Sequence, residues 1–177
     1  TGTNYGLEVT VEQFLKHDFY FLLATSLYDS KYKGSDNVER NTRFNGQYGI
    51  TFTGGKEVLT GSKWKNRVLG FNLKTIYRGG FRGTPVDLEA SQALPGQGAV
   101  YVDSEAFSIQ YPDYFRADIR ISLKRNRKAS TQTLALDIQN VTNRKNIYGR
   151  FYDSESGQIK TYYQTALIPI LSYKIEF

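Results

Sequence analysis

The sequence predicts an all-β protein built from antiparallel strands, and three observations carry this prediction. Aromatic residues make up 15% of the 177 residues, and 14 tyrosines and 16 glycines occur without any cysteine or methionine, a mixture that favours strands and turns over helices. Apolar and polar residues alternate with a period of two in segments of about the length of a tilted membrane strand, roughly 9 to 11 residues. Short and long connections follow one another in turn.

The length requires no second domain, so we expect one domain over residues 1–177.

Seven segments show the alternation. In the fifth, for example, isoleucines flank Arg120, which places apolar and charged side chains on opposite faces of a strand. We predict that only Lys16 and His17 separate the first two strands, and that Gly54 and Gly55 end the third. The predicted strands span residues 4–15, 18–29, 45–54, 67–79, 113–124, 131–142 and 161–177.

The connections between the predicted strands are short at one end of the sheet and long at the other. They are short after strands one and five, moderate after strand three, and long at residues 30–43, 80–112 and 143–160. A soluble sandwich more often has short connections throughout, since about 4 to 6 residues is usual. Outer-membrane barrels instead combine short periplasmic turns with long extracellular loops. The pattern therefore favours antiparallel transmembrane β-barrel strands, with the C-terminus on the periplasmic side.

The direction in which the apolar residues point is left open by alternation alone. They could fill the core of a soluble β-sandwich that serves as a binding or adhesion module, or they could face lipid. Charged residues on the opposite face suit either bulk water or a wet lumen. Because bacterial single-chain barrels have an even number of strands, seven strands predict that further strands precede Thr1. A small standalone porin is the third alternative.

Other function classes find little support in the sequence. The net charge of +6 comes from scattered residues and short basic clusters without a binding motif, so we expect no nucleic-acid partner. The absence of cysteine excludes disulfides and thiol chemistry. His17 is the only histidine, lies in a predicted tight turn, and lacks the partners of a catalytic triad. We therefore expect no enzyme activity, no catalytic residues, no cofactor and no metal site.

Several motifs resemble one family of membrane proteins. Residues 136–146 (LDIQNVTNRKN) form an alternating strand followed by Asn, an apolar residue, a variable residue and a second Asn. Residues 28–32 (YDSKY), 40–45 (RNTRFN) and 110–116 (QYPDYFR) resemble loop and strand junctions of the same family. The last alternating run is similar to the barrel-assembly signal of outer-membrane proteins: Leu171, Tyr173, Ile175 and Phe177. Together these motifs resemble the C-terminal barrel region of TonB-dependent receptors, particularly the Bacteroidetes type, over essentially the whole chain.

The resemblance implies a nutrient uptake receptor in the outer membrane of a bacterial cell. This chain would supply barrel wall and extracellular loops of a larger barrel. The implied partners are outer-membrane lipid, the N-terminal plug of the same intact receptor, TonB acting through the plug, the barrel-assembly machinery, a nutrient ligand and a surface lipoprotein. The ligand is left open among glycan, iron chelate, cobalamin and peptide.

Candidate site residues follow from where charged and aromatic groups fall. We expect residues 30–43, 80–112 and 143–160 at the ligand-facing surface. Because charged groups need water or partners, we expect four residues to face the barrel lumen or the plug: Arg116, Asp118, Arg120 and Asp137. Aromatic residues of the long segments could stack on sugars or pack the loops: Tyr101, Phe107, Tyr111 and Tyr152.

Overall fold

The computed structural model describes residues 1–60, 67–93 and 98–177. The elements in chain order are β1 (Gly2–Lys16), β2 (Phe19–Lys33), β3 (Glu39–Asn41), β4 (Tyr48–Leu59), β5 (Arg67–Arg78), β6 (Arg82–Gly83), β7 (Val86–Asp87), α1 (Leu88–Ala93), β8 (Val100–Tyr101), β9 (Ile109–Gln110), β10 (Tyr114–Asn126), β11 (Thr131–Gln139), β12 (Ile147–Asp153), β13 (Gln158–Tyr163) and β14 (Ile168–Glu176). A 3-10 turn covers Asp103–Glu105. The all-β prediction is confirmed.

One antiparallel sheet contains all the long strands. Its order is β1-β2-β4-β5-β10-β11-β14, with β3 paired to β2 beside this path. Each long strand therefore pairs with the next long strand along the chain, as in an up-and-down meander. β1 and β14 lie at opposite edges and do not pair with each other. Among the described strands, the sheet is thus open rather than closed into a barrel.

The first hairpin turn is one residue later than predicted. Lys16 pairs with Phe19, so His17 and Asp18 form the turn, with φ angles of 51° and 64°. Positive φ at both central positions is the geometry of a type I′ turn, whose twist matches that of the flanking strands. His17 is a turn residue, as predicted.

The prediction that Gly54 and Gly55 end the third strand is wrong. β4 continues through both to Leu59, and Gly55 pairs with residues of both neighbouring strands. The glycines make room for aromatic rings. A Cβ on Gly54 would lie 2.7 Å from the Phe52 ring, and one on Gly55 would lie 2.6 Å from the Tyr20 hydroxyl.

The last predicted strand, residues 161–177, is two separate strands. β13 pairs with β12 in a hairpin of its own, and only β14 joins the large sheet. β11 also ends earlier than the predicted residue 142, because Asn140 has a φ of 49° and leaves the extended conformation. Pro169 lies opposite Ile138 on an edge strand, the position at which a sheet tolerates a missing N–H donor.

The strand register gathers the apolar side chains on one face, called the apolar face here. Cross-strand partners point to the same side of a sheet, and the pairs Leu7–Leu27, Leu73–Ile119 and Leu136–Leu171 illustrate the match. Members of this face come from every long strand: Leu7, Val9, Val11, Leu23, Leu27, Ile50, Phe52, Leu69, Phe71, Leu73, Phe115, Ile119, Ile121, Leu123, Leu134, Leu136, Leu171, Tyr173 and Ile175.

The apolar face has no second layer packed on it. Val9 is 50% exposed and Leu171 is 73% exposed, and the few buried apolar residues of the described chain are Tyr111, Ala117 and Ala135. A soluble sandwich buries such a face against a second sheet. The sheet here has no core of that kind among the described residues.

The two ends of the sheet differ in the way that the sequence predicts. At one end, the turn end, residues 17–18 and 127–130 make short turns, whereas most of the β4–β5 connection lies outside the described residues. At the other end, the loop end, residues 34–47, 79–113 and 140–167 hold the short elements of the described chain. Within the described ranges, no helix combines the length and apolar character needed to span a membrane.

Candidate functional site

The four charged residues singled out by the sequence lie together on the face opposite the apolar face, called the polar face here. Arg116 Nε is 2.7 Å from Asp118 Oδ1 on the same strand. Arg120 Nη1 lies 2.9 Å and 2.8 Å from the two oxygens of Asp137, its cross-strand partner. The side chains form two ion pairs. That this face borders a lumen or a plug stays a prediction.

Asp118 also fixes the start of the last long loop. Its Oδ1 accepts the backbone N–H of Asn140 at 2.8 Å, one residue beyond β11. Asn140 in turn donates from Nδ2 to the Arg144 carbonyl at 3.0 Å. A carboxylate expected to face a lumen or plug therefore has a structural role as well.

Three asparagines spaced by three residues, Asn140, Asn143 and Asn146, hold this loop against the sheet. Asn143 Oδ1 accepts the Leu167 N–H at 3.2 Å. Asn146 exchanges two hydrogen bonds with the backbone of Phe115. Asn140 and Asn143 have positive φ, which asparagine tolerates better than most residues. The Asn-rich motif in the sequence thus marks a loop anchor.

The other loops are joined to each other and to this one, to which Arg144 Nη2 ties them by donating to the Asp113 carbonyl at 2.8 Å. Asn45, which is fully buried, donates from Nδ2 to Asp29 Oδ1 and to Asn41 Oδ1, both at 2.7 Å. Arg82 donates from its backbone N–H to the Arg43 carbonyl at 2.9 Å and from Nε to the Asn45 carbonyl at 2.9 Å. The loop end is therefore one connected layer rather than three independent loops.

A cleft of about 480 Å³ opens in this layer. We call it the arginine cleft. Three arginines line it, Arg43, Arg82 and Arg150, together with one acidic residue, Asp103. The rest of its wall is mostly aromatic: Tyr101, Phe107, Tyr111, Tyr148, Phe151 and Tyr162.

The three arginines of the cleft contact rings and neutral groups. Arg43 Cζ is 5.2 Å from the centre of the Tyr148 ring, and Arg150 Cζ is 6.0 Å from that of Tyr111. Arg82 Nη2 donates to the amide oxygen of Gln110 at 3.1 Å. Among the ion pairs of the described residues, none includes these arginines. The cleft therefore carries uncompensated positive charge.

A second hollow of about 620 Å³ lies beside the cleft and reaches the polar face. Tyr148 and Tyr162 line both, and their rings meet edge to face at 5.8 Å. Arg78 lies in the second hollow with its Cζ 3.9 Å from the Phe81 ring centre. Arg116 of the first ion pair lines the same hollow. A path of rings and cations thus connects the loops to the polar face.

The aromatic predictions divide between the cleft and its surroundings. Tyr101, Phe107 and Tyr111 line the cleft, whereas Tyr152 does not. The sequence reasoning missed Arg43, Arg82 and Arg150 as well as Tyr148 and Tyr162. The aromatic-rich run at residues 147–153 (IYGRFYD) is the signal that could have indicated a strand carrying Tyr148 and Arg150.

The predicted barrel-assembly residues lie at the β14 edge of the sheet: Leu171, Tyr173, Ile175 and Phe177. The first three belong to the apolar face, and all four are exposed. Their recognition by an assembly machine stays a prediction.

Two acidic residues in or beside the first long loop form ion pairs with basic neighbours. Lys31 Nζ is 3.1 Å from Asp29, and Arg40 Nη2 is 2.7 Å from Asp36. The Arg40 guanidinium, with the Val38 N–H, holds the pKa of Asp36 below its usual value. Within the described part of the chain, no cluster of three or more potential ligands could hold a metal.

Comparison with known proteins gives no relative: no family model, no curated protein and no solved structure matches the chain.

Proposed function

We propose that this chain forms barrel wall and extracellular loops of a TonB-dependent nutrient uptake receptor in the bacterial outer membrane. The observation that carries the proposal is the apolar face, which runs without a covering layer across all the long strands while ion pairs occupy the opposite face. Soluble monomers rarely expose apolar patches larger than a few hundred Å². Lipid is the surrounding in which such a face is stable.

Strand length and loop asymmetry support a membrane-spanning sheet. The long strands contain 9 to 15 residues, and roughly 9 to 11 are needed to cross a bilayer at a tilt. On the apolar face, Tyr48, Tyr77 and Phe115 form a row of rings near the loop end, with centres 5.6 Å and 6.5 Å apart. Aromatic rows at strand ends are typical of the membrane interface.

The receptor part of the proposal comes from the sequence resemblance. A plug, TonB acting through it, the assembly machinery and a surface lipoprotein are partners implied by that family alone. The open edges at β1 and β14 fit a sheet that continues into further strands, since exposed edges invite pairing.

The two alternatives require features of their own. A soluble β-sandwich needs a second layer on the apolar face, and a standalone porin needs an extra strand that links β1 to β14 and closes the barrel. Neither feature is present among the described residues.

Single cysteines in a sequence that has none allow a direct test of the apolar face. Val9 and Thr10 are neighbours at the middle of β1 and point to opposite faces. The native protein carrying Val9→Cys or Thr10→Cys is labelled with a fluorophore and reconstituted in liposomes. We expect spin-labelled lipid to quench the probe at position 9, and aqueous iodide to quench the probe at position 10. Quenching of position 9 by neither agent would indicate a protein core and support the sandwich.

The orientation and the receptor role have separate tests. On intact cells, a membrane-impermeant maleimide should label Lys145→Cys at the loop end but label Lys128→Cys at the turn end only after the outer membrane is opened. The reverse pattern would place the loops in the periplasm. Cross-linking of the native protein to TonB in cells tests the receptor role, and its absence would leave a membrane sheet of another function.

A further inference from the structure

We propose that the arginine cleft binds an organic anion that carries rings, its acidic groups held by Arg43 and Arg150 and its ring faces lying on the exposed tyrosines. The inference deepens the proposed function and rests on it for the identification of the loop end as the ligand-facing side. It narrows the ligand from any nutrient to one with negative charge.

The charge of the cleft is the first argument. Its wall contains three arginines against one aspartate, Asp103, a surplus of two positive charges. Two other cations of the loop end have carboxylate partners, since Arg40 pairs with Asp36 and Lys160 pairs with Asp153. The cleft arginines instead contact rings and amide or carbonyl oxygens. A planar guanidinium that is free of a carboxylate is well suited to bidentate binding of a carboxylate, sulfate or phosphate group.

The exposed rings are the second argument. Tyr101, Tyr148 and Tyr162 are between 46% and 59% exposed although they line a concave surface. Tyrosine rings left open in this way offer faces for stacking while their hydroxyls stay hydrated. A ligand that contains only charge, such as inorganic phosphate, would leave these faces unused.

The size of the cleft is the third argument. About 480 Å³ lies within the range of roughly 300 to 1,000 Å³ that is typical of small-molecule sites. A small molecule with one or two rings is of the size that such a volume holds. An acidic disaccharide and an aromatic carboxylate share the required chemistry, and the experiment separates them.

Titration calorimetry on the native protein in detergent tests the proposal with three probes. They are a uronic-acid disaccharide, a dihydroxybenzoate and, as the uncharged comparison, a neutral disaccharide. We expect one or both of the anions to bind and the neutral sugar to bind at least tenfold more weakly. Binding of the anions should weaken with added salt, because the charges are accessible to screening ions.

Two variants assign the binding to the cleft. Arg150→Gln removes a cation of the cleft wall without breaking a loop-to-loop hydrogen bond, and we expect it to weaken anion binding about tenfold, typical of a lost charge-assisted contact. Lys145→Gln removes the same charge from an exposed position of the same loop end outside the cleft. It should change the dissociation constant less than about threefold.

Three outcomes would overturn the inference. The neutral sugar could bind as tightly as the anions, both variants could weaken binding equally, or the anions could fail to bind a protein that inserts correctly in the lipid-quenching test. The last result would remove the ligand assignment while the membrane proposal stands. If spin-labelled lipid fails to quench the probe at position 9 but the anions bind, the membrane proposal is wrong and the cleft is still an anion-binding site.

Discussion

Asn146 and Phe115 are joined by two hydrogen bonds that run in opposite directions. Phe115 N–H donates to Asn146 Oδ1 at 3.0 Å, and Asn146 Nδ2 donates to the Phe115 carbonyl at 2.8 Å. The side-chain amide thus takes the place of a neighbouring peptide group beside β10. The backbone carbonyl of Asn146 accepts the Gln164 N–H at 2.8 Å. One buried residue therefore ties the last long loop to the sheet.

Asn146→Ala should destabilise the fold by about 1 to 3 kcal/mol, because it removes both hydrogen-bond partners from the half-buried backbone of Phe115. Denaturant unfolding of the reconstituted protein measures the change. Asn126→Ala is the control, since Asn126 is exposed at the turn end and accepts only a 3.3 Å bond from Thr131. Equal stability of both variants would contradict the anchoring role of Asn146.

Gly79→Ala should be strongly unfavourable. A Cβ at Gly79 would lie 1.8 Å from the carbonyl oxygen of Gly46, so the two loop backbones would have to separate. Overpacking of this kind costs about 1 to 3 kcal/mol or more. Gly149→Ala is the matched control, because no atom of the described residues, apart from its chain neighbours, lies within 4 Å of the added Cβ. Comparable thermal stability of the two alanine variants would show that these backbones do not approach so closely.

Arginine substitutions on the two faces of β1 should differ in their effect on stability. If the apolar face contacts lipid, Val9→Arg should lower stability in the bilayer by about 2 to 4 kcal/mol, the cost of a basic residue near the membrane midplane. Thr10→Arg adds the same side chain to the polar face and should change stability by less than about 1 kcal/mol. Urea unfolding in lipid vesicles gives both values. A larger loss for Thr10→Arg would reverse the assignment of the faces.

Protonation of Asp153 should occur at unusually low pH. A hydrogen bond from Lys160, followed by one from Ser156, lowers the pKa of Asp153 below its ordinary value of 3.8. Because the charged form is favoured in the fold, the ion pair stabilises the β12–β13 hairpin above pH 3.8 and is lost as the pH falls through the lowered pKa.

Carboxyl carbon chemical shifts recorded by NMR against pH give this pKa. Lys160→Gln should return the pKa of Asp153 toward 3.8, whereas Lys145→Gln should leave it unchanged. An ordinary pKa in the parent protein would mean that the ion pair does not persist in solution.

The sequence predicted the sheet well because the signal is local to each strand. Alternation located all seven long strands, and it placed the three long connections at one end of the sheet. Two of the errors arose because glycine and tyrosine each occur in more than one structural setting. Gly54 and Gly55 read as a strand end, but they accommodate rings of neighbouring residues. Tyr162 and Tyr163 read as the start of the last strand, but they belong to a hairpin at the loop end.

The arginine cleft could not be predicted in the same way. Arg43, Arg82 and Arg150 are separated by 39 and 68 positions in the sequence, and they meet only because the loops bond to one another. The four charged residues of the polar face were easier to find, since Arg120 and Asp137 occupy alternating positions of adjacent strands. Register follows from such local patterns, whereas loop packing depends on contacts between distant segments.

Main-chain hydrogen bonds hold the loops in shape, both within a loop and between loops, and this bears on how such a protein can diversify. Arg82 N–H binds the Arg43 carbonyl of another loop, Tyr111 N–H binds the Phe81 carbonyl of its own loop, and neither bond involves a side chain. Point substitutions can therefore alter the lining of the cleft while the frame that shapes it is retained. Related proteins with the same loop backbone could bind different ligands after a few side-chain substitutions, much as antibodies vary their binding loops on a constant scaffold.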